Sequence, residues 1–274
     1  MSGGKARLTE RAPAKLNLSL HVVGRRPDGY HLLDSLVVFA DLADTVTLRP
    51  EGTFGLSIDG PFAAATPTSC DNLVLRAAES LGDRFGRPSP GTFHLTKRLP
   101  VEAGVGGGSA DAAATLRLLC RHWSLDLDDP GVLEIALSLG ADVPVCLRPR
   151  RCHMSGIGEV VNSVAPEASR PVVLVNPGVA LSTAEVFQQF ARMASGTKRA
   201  AANDLLAPAI ALAPPIGDVL RELGATKGCR VAAMSGSGPT CFALYDDPAA
   251  ASAAASALSE RHPAWWVAAT RLLD

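Results

Sequence analysis

Residues 99–119, LPVEAGVGGGSADAAATLRLL, place four glycines in five positions (Gly104, Gly106, Gly107, Gly108) and then run straight into an alanine- and leucine-rich helix. Glycine in that number costs chain entropy, so the loop needs positive φ angles or a close backbone approach. Bare amides at a helix N-terminus, aligned with the helix dipole, make a site for an anion. A plain turn into a helix needs one glycine, so the cluster reads as a phosphate cradle. Neither familiar glycine fingerprint fits it. Counting from Gly104, the sixth position of G-x-G-x-x-G is Ser109, and the glycines are followed by Ser109-Ala110-Asp111 with no Walker lysine. Ser109 has two open roles at the helix start, as a cap or as a contact to phosphate or Mg²⁺. A second cluster, MSGSGPT (234–240), joins two strand-like segments with more glycine than a hairpin requires. It too exposes amides and hydroxyls suited to an anion. Together the clusters suggest two loops closing on one polyphosphate, or on donor and acceptor.

The elements that must position these loops follow from hydrophobic period. KLNLSLHVV (15–23) alternates, with Leu16, Leu18, Leu20 and Val22 on one face and Lys15, Asn17, Ser19 and His21 on the other. Further strands are expected at about 34–39, 44–49, 54–59 and 92–98. DNLVLRAAESLGDRF (71–85) has helical spacing, with Asp71 as its cap. The glycine loop leads into a helix over 108–122, and DDPGVLEIALSL (128–139) forms another, capped by Asp129 with Pro130 in its first turn. A strand at 172–178 precedes a helix whose Ser182 and Glu185 form a capping box. Helices near 203–212 and 215–223, strands CRVAAMSG and PTCFALYD, an alanine-rich helix and a last strand WWVAATRLL complete the chain. A boundary near residue 158 divides a mixed α+β part (1–158) from an open sheet covered by helices on one side (159–274).

Composition bounds the function. The 274 residues are 47% hydrophobic and 19% charged, and no apolar run is long enough to span a bilayer. The N-terminus lacks the apolar core of a signal peptide, so a cytoplasmic location is expected, with no membrane partner. Lys plus Arg (26) nearly balance Asp plus Glu (27), which argues against nucleic acid as the main partner. The six cysteines contain no CxxC pair or metal-finger spacing and read as reduced thiols.

PAKLNLSLHVVGRRPDGYH, LPVEAGVGGGSADAAA and MSGSGPT, in this order and separation, resemble the three motifs of the GHMP kinases. RRPDGYHLLDSLVVFADLADTV, GADVPVCL and PGVALSTAEVF extend the likeness over essentially the whole chain. The resemblance implies an α+β, two-domain GHMP kinase fold, with an N-terminal domain like the second domain of ribosomal protein S5 and a ferredoxin-like C-terminal domain. It implies ATP-dependent phosphorylation, with Mg²⁺, of the 2-hydroxyl of 4-diphosphocytidyl-2-C-methyl-D-erythritol. The products would be the 2-phosphate and ADP, in the non-mevalonate route to isoprenoid precursors. The small-molecule substrate is thus a cytidine diphosphate-linked methylerythritol.

By the same resemblance Asp142 is the catalytic aspartate and Lys15 its partner. The ATP loop comprises Pro100, Val101, Glu102, Ala103, Gly104, Val105, Gly106, Gly107, Gly108, Ser109 and Ala110. Asn72 lies near the adenine or else merely caps its helix. Tyr30 and His31 bind cytidine, Phe187 closes on the other face of the base, and Thr183 and Asn17 contribute polar contacts. Glu102 and Ala103 stand where the family often has smaller or glycine-like residues, and the Glu102 carboxylate is expected to point away from the phosphates. The rival readings are another small-alcohol kinase of the same family, disfavoured by PDGYH and Phe187, and an S5-like RNA-binding protein, disfavoured by the near-zero charge.

Overall fold

A computed structural model describes residues 7–88, 90–193 and 202–273. The chain forms two compact units that interleave in sequence. One comprises Met1–Ala14, Ala43–Val101 and Gly106–Pro149; the other comprises Lys15–Leu42, Glu102–Val105 and Arg150–Asp274.

In the first unit, β5 (Thr92–Thr96) pairs parallel with β4 (Gly55–Asp59) and antiparallel with the second half of β3 (His31–Arg49). Helix α1 (Leu73–Phe85) packs on α2 (Gly107–Trp123) and α3 (Pro130–Leu139), and α2 also packs on the short α4 (Val143–Cys146). The cap of α1 is Asn72 and not Asp71: the Asn72 Oδ1 accepts the Val74 N–H at 2.9 Å. Its buried stripe is Val74, Leu75, Ala77, Ala78 and Leu81, and Gly86 at φ 59° ends it in the left-handed conformation. Asp129 caps α3 as expected, accepting the Gly131 N–H at 2.8 Å ahead of Pro130. Helix α2 buries Ala112, Ala113 and Ala114 beside Leu116, Leu118 and Leu119.

The strand expected over 15–23 is two strands, β1 (Leu8–Asn17) and β2 (His21–Arg25). The break has a local cause. Ser19 gives its carbonyl to the Ser35 hydroxyl (2.6 Å) and its hydroxyl to the Leu36 N–H (3.2 Å), while Leu20 bridges to Asn203. Lys15 and Asn17, assigned to a polar face, are buried. The strands expected at 34–39 and 44–49 are one strand, β3, which runs through the acidic DLAD segment without interruption.

In the second unit the first half of β3 pairs with β6 (Cys152–Gly156), and β6 with β7 (Val160–Ser163), a hairpin not anticipated from sequence. After β8 (Pro171–Asn176) come α5 (Thr183–Met193), α6 (Leu206–Leu212), α7 (Pro215–Gly224), β9 (Val231–Met234), β10 (Cys241–Leu244), α8 (Pro248–Arg261) and β11 (Trp266–Arg271). The four strands are antiparallel in the order β11-β8-β10-β9. With helices after β8 and β10, this is the split βαβ arrangement of ferredoxin-like folds. Val173, Val175, Val186, Ile216, Val219, Leu223, Tyr245 and Leu258 fill its core, together with Leu20; Val22 and Leu33 pack against it.

Candidate active site

The glycine loop ends on a helix start that no side chain caps. Gly106 is the cap residue at φ 65°, and the first turn of α2 carries no acidic residue. The hydroxyl of Ser109, third in the helix, makes no capping bond. Its open first-turn amides and positive dipole end suit an anion. Gly108 is exposed, while Gly107 is buried: a Cβ there would lie 3.2 Å from the Lys97 Nζ. Pro100 is buried and Val101 exposed, so the loop leaves the interior between them. The turn holding Asp142 is close by in the same unit, since a Cβ on Gly140 would lie 3.9 Å from the Ser109 Oγ. Asp142 occupies the cap position of α4, half-buried, yet its carboxylate makes no capping bond to that helix. Asn72 has both side-chain atoms engaged locally, accepting from Val74 and donating to the Pro67 carbonyl at 2.6 Å.

Beneath α2 lies a charge cluster that sequence reading passed over. Lys97 donates to Asp44 and to Asp111, each at 2.6 Å, and all three are buried. Burial pushes the Asp111 carboxyl up to about 8. Burial works against the Lys97 ammonium, but Asp111 and Asp44 together raise its pKa.

The second unit carries the other candidate residues. Lys15 is 3% exposed, so it is no solvated strand lysine, and its N–H donates to the Val105 carbonyl at 2.8 Å. Residues 102–105 dock on the loop 235–240. The Ser235 hydroxyl donates to the Gly104 carbonyl (3.0 Å) and the Thr240 N–H to the Ala103 carbonyl (3.2 Å). Gly104, at φ 72°, approaches so closely that a Cβ would sit 2.4 Å from the Gly238 carbonyl oxygen. Glu102 is exposed and adopts φ 52°, a left-handed angle that glycine takes freely and glutamate does not. Asn203, also unanticipated, holds the second loop by donating to the Met234 and Gly236 carbonyls, both at 2.9 Å.

Asn17 receives no such complete satisfaction. Its N–H donates to the Ser235 Oγ (3.2 Å) and its Nδ2 to the Ser35 Oγ (2.7 Å), but its buried Oδ1 has no partner. A buried orphan acceptor costs about 1–3 kcal/mol. The atom is suited to a ligand hydroxyl or amino group.

Thr183 and Phe187 lie one turn apart on α5, where i and i+4 share a face. Phe187 stacks on His31, centroids 4.8 Å apart and 18° from parallel, and Phe190 meets the same imidazole edge-on. Thr183 shares a 2.8 Å hydrogen bond with Ser237 of the second glycine cluster, 234–240. Tyr30 is 59% exposed, beside His31 in sequence. Burial, and then the nearby Arg25 guanidinium, hold the His31 pKa below its ordinary value. Among the described residues no group of three or more His, Cys, Asp or Glu side chains is placed to hold a metal.

The chain is similar to known proteins along most of its length. The N-terminal domain model of the GHMP kinases matches residues 72–149, and their C-terminal model matches 184–264. The 4-diphosphocytidyl-2-C-methyl-D-erythritol kinase of Methylorubrum extorquens is 50% identical, over 97% of this chain and 99% of its own. A solved 4-(cytidine 5'-diphospho)-2C-methyl-D-erythritol kinase superposes with a TM-score of 0.79 at 33% identity, covering 97% of this chain and 100% of its own. A homoserine kinase from Cytophaga hutchinsonii (TM-score 0.71, 17% identity, 98% and 96% covered) shares the fold. The chain belongs to the GHMP kinases, with their two-domain fold, and within them to the family of the 4-diphosphocytidyl-2-C-methyl-D-erythritol kinases. No helix among the described residues is long and apolar enough to cross a membrane.

Proposed function

We propose that this protein is an ATP-dependent kinase that phosphorylates the 2-hydroxyl of 4-diphosphocytidyl-2-C-methyl-D-erythritol, releasing ADP. The observation that carries the reading is the 50% identity to a kinase of that name along almost the full length of both chains. The uncapped start of α2, the orphan acceptor of Asn17 and the His31–Phe187 stack each supply something the reaction needs. By role, 1–158 supplies the nucleotide-binding and catalytic residues, apart from substrate contacts at Asn17, Tyr30 and His31. Residues 159–274 supply Thr183 and Phe187.

Phosphoryl transfer passes through a loose transition state, so the protein mainly positions and stabilises charge. The amides of Gly107, Gly108 and Ser109 would receive phosphate oxygens, within the loop 100–110. Asp142 takes the proton of the attacking hydroxyl. A carboxylate is a weak base, but a loose transition state asks for little early deprotonation. Lys15 orients that carboxylate and offsets growing negative charge. Asn72 marks the adenine side. Tyr30 and Phe187 offer flat faces to the pyrimidine, and neutral His31 a hydrogen-bonding edge. Mg²⁺ would be held chiefly by the phosphates, with the Ser109 hydroxyl as its protein ligand, and would neutralise phosphate charge.

An ADP-release assay tests the reading, offering the cytidine diphosphate-linked alcohol beside mevalonate and homoserine. Turnover is expected only with the first, and Asp142→Asn should lower kcat by about 10²–10⁴-fold at nearly unchanged substrate affinity. Equal turnover of mevalonate would sink the substrate assignment, and near-normal kcat in the variant would remove Asp142 from its role.

A further inference from the structure

The glycine loop leaves the end of β5 and closes inside the first turns of α2, and both of its ends are tied to one buried cluster. At the departing end, the Asp44 Oδ1 accepts the N–H groups of Arg98 (2.5 Å) and Leu99 (2.8 Å). The Asp44 Oδ2 accepts from Lys97, and the same ammonium reaches forward to the Asp111 Oδ2, one turn into α2. Lys97 thus spans the base of the loop, and its Nζ lies 3.2 Å from where a Gly107 Cβ would be. The space behind the helix start is therefore filled by an ammonium ion, and a side chain at 107 would press against it.

Stability alone does not account for this arrangement. Three buried ionisable groups carry a desolvation penalty, and well-packed apolar residues of similar volume often match or exceed such clusters in stability. The Asp111 Oδ1 is moreover buried without a partner, so the cluster is not even fully satisfied. What the cluster does supply is geometry: it fixes where the chain leaves β5 and where α2 begins.

We propose that Lys97, held between Asp44 and Asp111, is a positioning residue of the kinase, setting the Gly107–Ser109 amides for a polyphosphate before the nucleotide arrives. The inference rests on the phosphate-loop reading given under the proposed function. It acts on nucleotide binding, because a preorganised site pays less ordering cost on association. Each misplaced amide forfeits a hydrogen bond to a charged group, enough to cost about 10- to 100-fold in affinity.

The test uses the full chain and two variants. Lys97→Met removes the ammonium but leaves two carboxylates facing each other. Lys97→Met with Asp111→Leu removes one cation and one carboxylate together and leaves the Asp44 Oδ1 on its two amides; melting temperature and circular dichroism establish that it is folded. Binding of a non-hydrolysable ATP analogue is measured by calorimetry, together with kcat and the KM for each substrate. The folded double variant is expected to bind the analogue about 10- to 100-fold more weakly. Its kcat at saturating ATP and its KM for the alcohol should remain within about threefold of wild type. Wild-type analogue affinity in the folded double variant would overturn the proposal and leave the cluster a purely structural one. Failure of the wild-type chain itself to bind the analogue would remove the phosphate-loop reading, and the inference with it.

Discussion

His31 carries its chemistry through its surroundings. Stacked on Phe187 and beside Arg25, it keeps a pKa lowered first by burial and then by the guanidinium. The folded state therefore favours the neutral ring. The sign follows: the contribution of His31 to stability is intact above the ordinary value of 6.5 and is lost as pH falls below it, where the unfolded chain binds the proton first. In an NMR titration the ring is expected to turn over below 6.5 in the wild type. In Arg25→Ala the midpoint should move part of the way back up, since burial remains. An unchanged midpoint would leave burial as the sole cause. A neutral imidazole keeps one donor and one acceptor nitrogen, the pattern a pyrimidine edge can use. None of this was visible in PDGYH alone, because Phe187 is far away in sequence and only the family resemblance connected the two.

Helix α2 shows what glycine does at element scale, and it does two different things. Gly108 lies at helical angles with an exposed Cα, and an added Cβ would make only ordinary contact with Leu73, at 3.4 Å. Alanine is better than glycine in a helix by about 1 kcal/mol. Gly108→Ala should therefore hold or raise the melting temperature while weakening nucleotide binding, because the added methyl stands where phosphate approaches. Gly104→Ala should do the opposite in stability, losing at least about 1–2 kcal/mol, since left-handed backbone is costly and its Cβ would collide with a carbonyl. Paired melting curves and binding isotherms separate the two cases; parallel losses in both variants would deny Gly108 a ligand role. Cap residues made α3 and α5 legible in sequence, and the alanine- and leucine-rich run behind the glycines did so for α2. The β6–β7 hairpin was not, because all four residues of β7 are exposed and leave no alternation to read. The single long β3 was missed for another reason. The gap expected at 40–43 holds Asp41, whose partner Arg271 lies 230 residues further on.

At the scale of the whole molecule, the chain changes unit at 14/15, 42/43, 101/102, 105/106 and 149/150. The C-terminal sheet does not own all of its core, since Leu20 is buried within it and Val22 and Leu33 pack against it. Those three side chains stabilise by ~5 kcal/mol together, which is a large part of the 5–15 kcal/mol typical of a domain. The fragment 159–274, expressed alone, is expected to lack a cooperative melt, and adding residues 15–42 in trans should restore part of it. A cooperative transition in the isolated fragment would show the N-terminal contribution to be dispensable. The interleaving also bears on heredity. A single recombination breakpoint between two diverged genes of this family would join residues 15–42 of one parent to a C-terminal core shaped by the other. Leu20 would then bridge to a position 203 that it had not been selected with. Viable hybrids should inherit 15–42 and 150–274 from the same parent, which takes exchanges at several points along the gene.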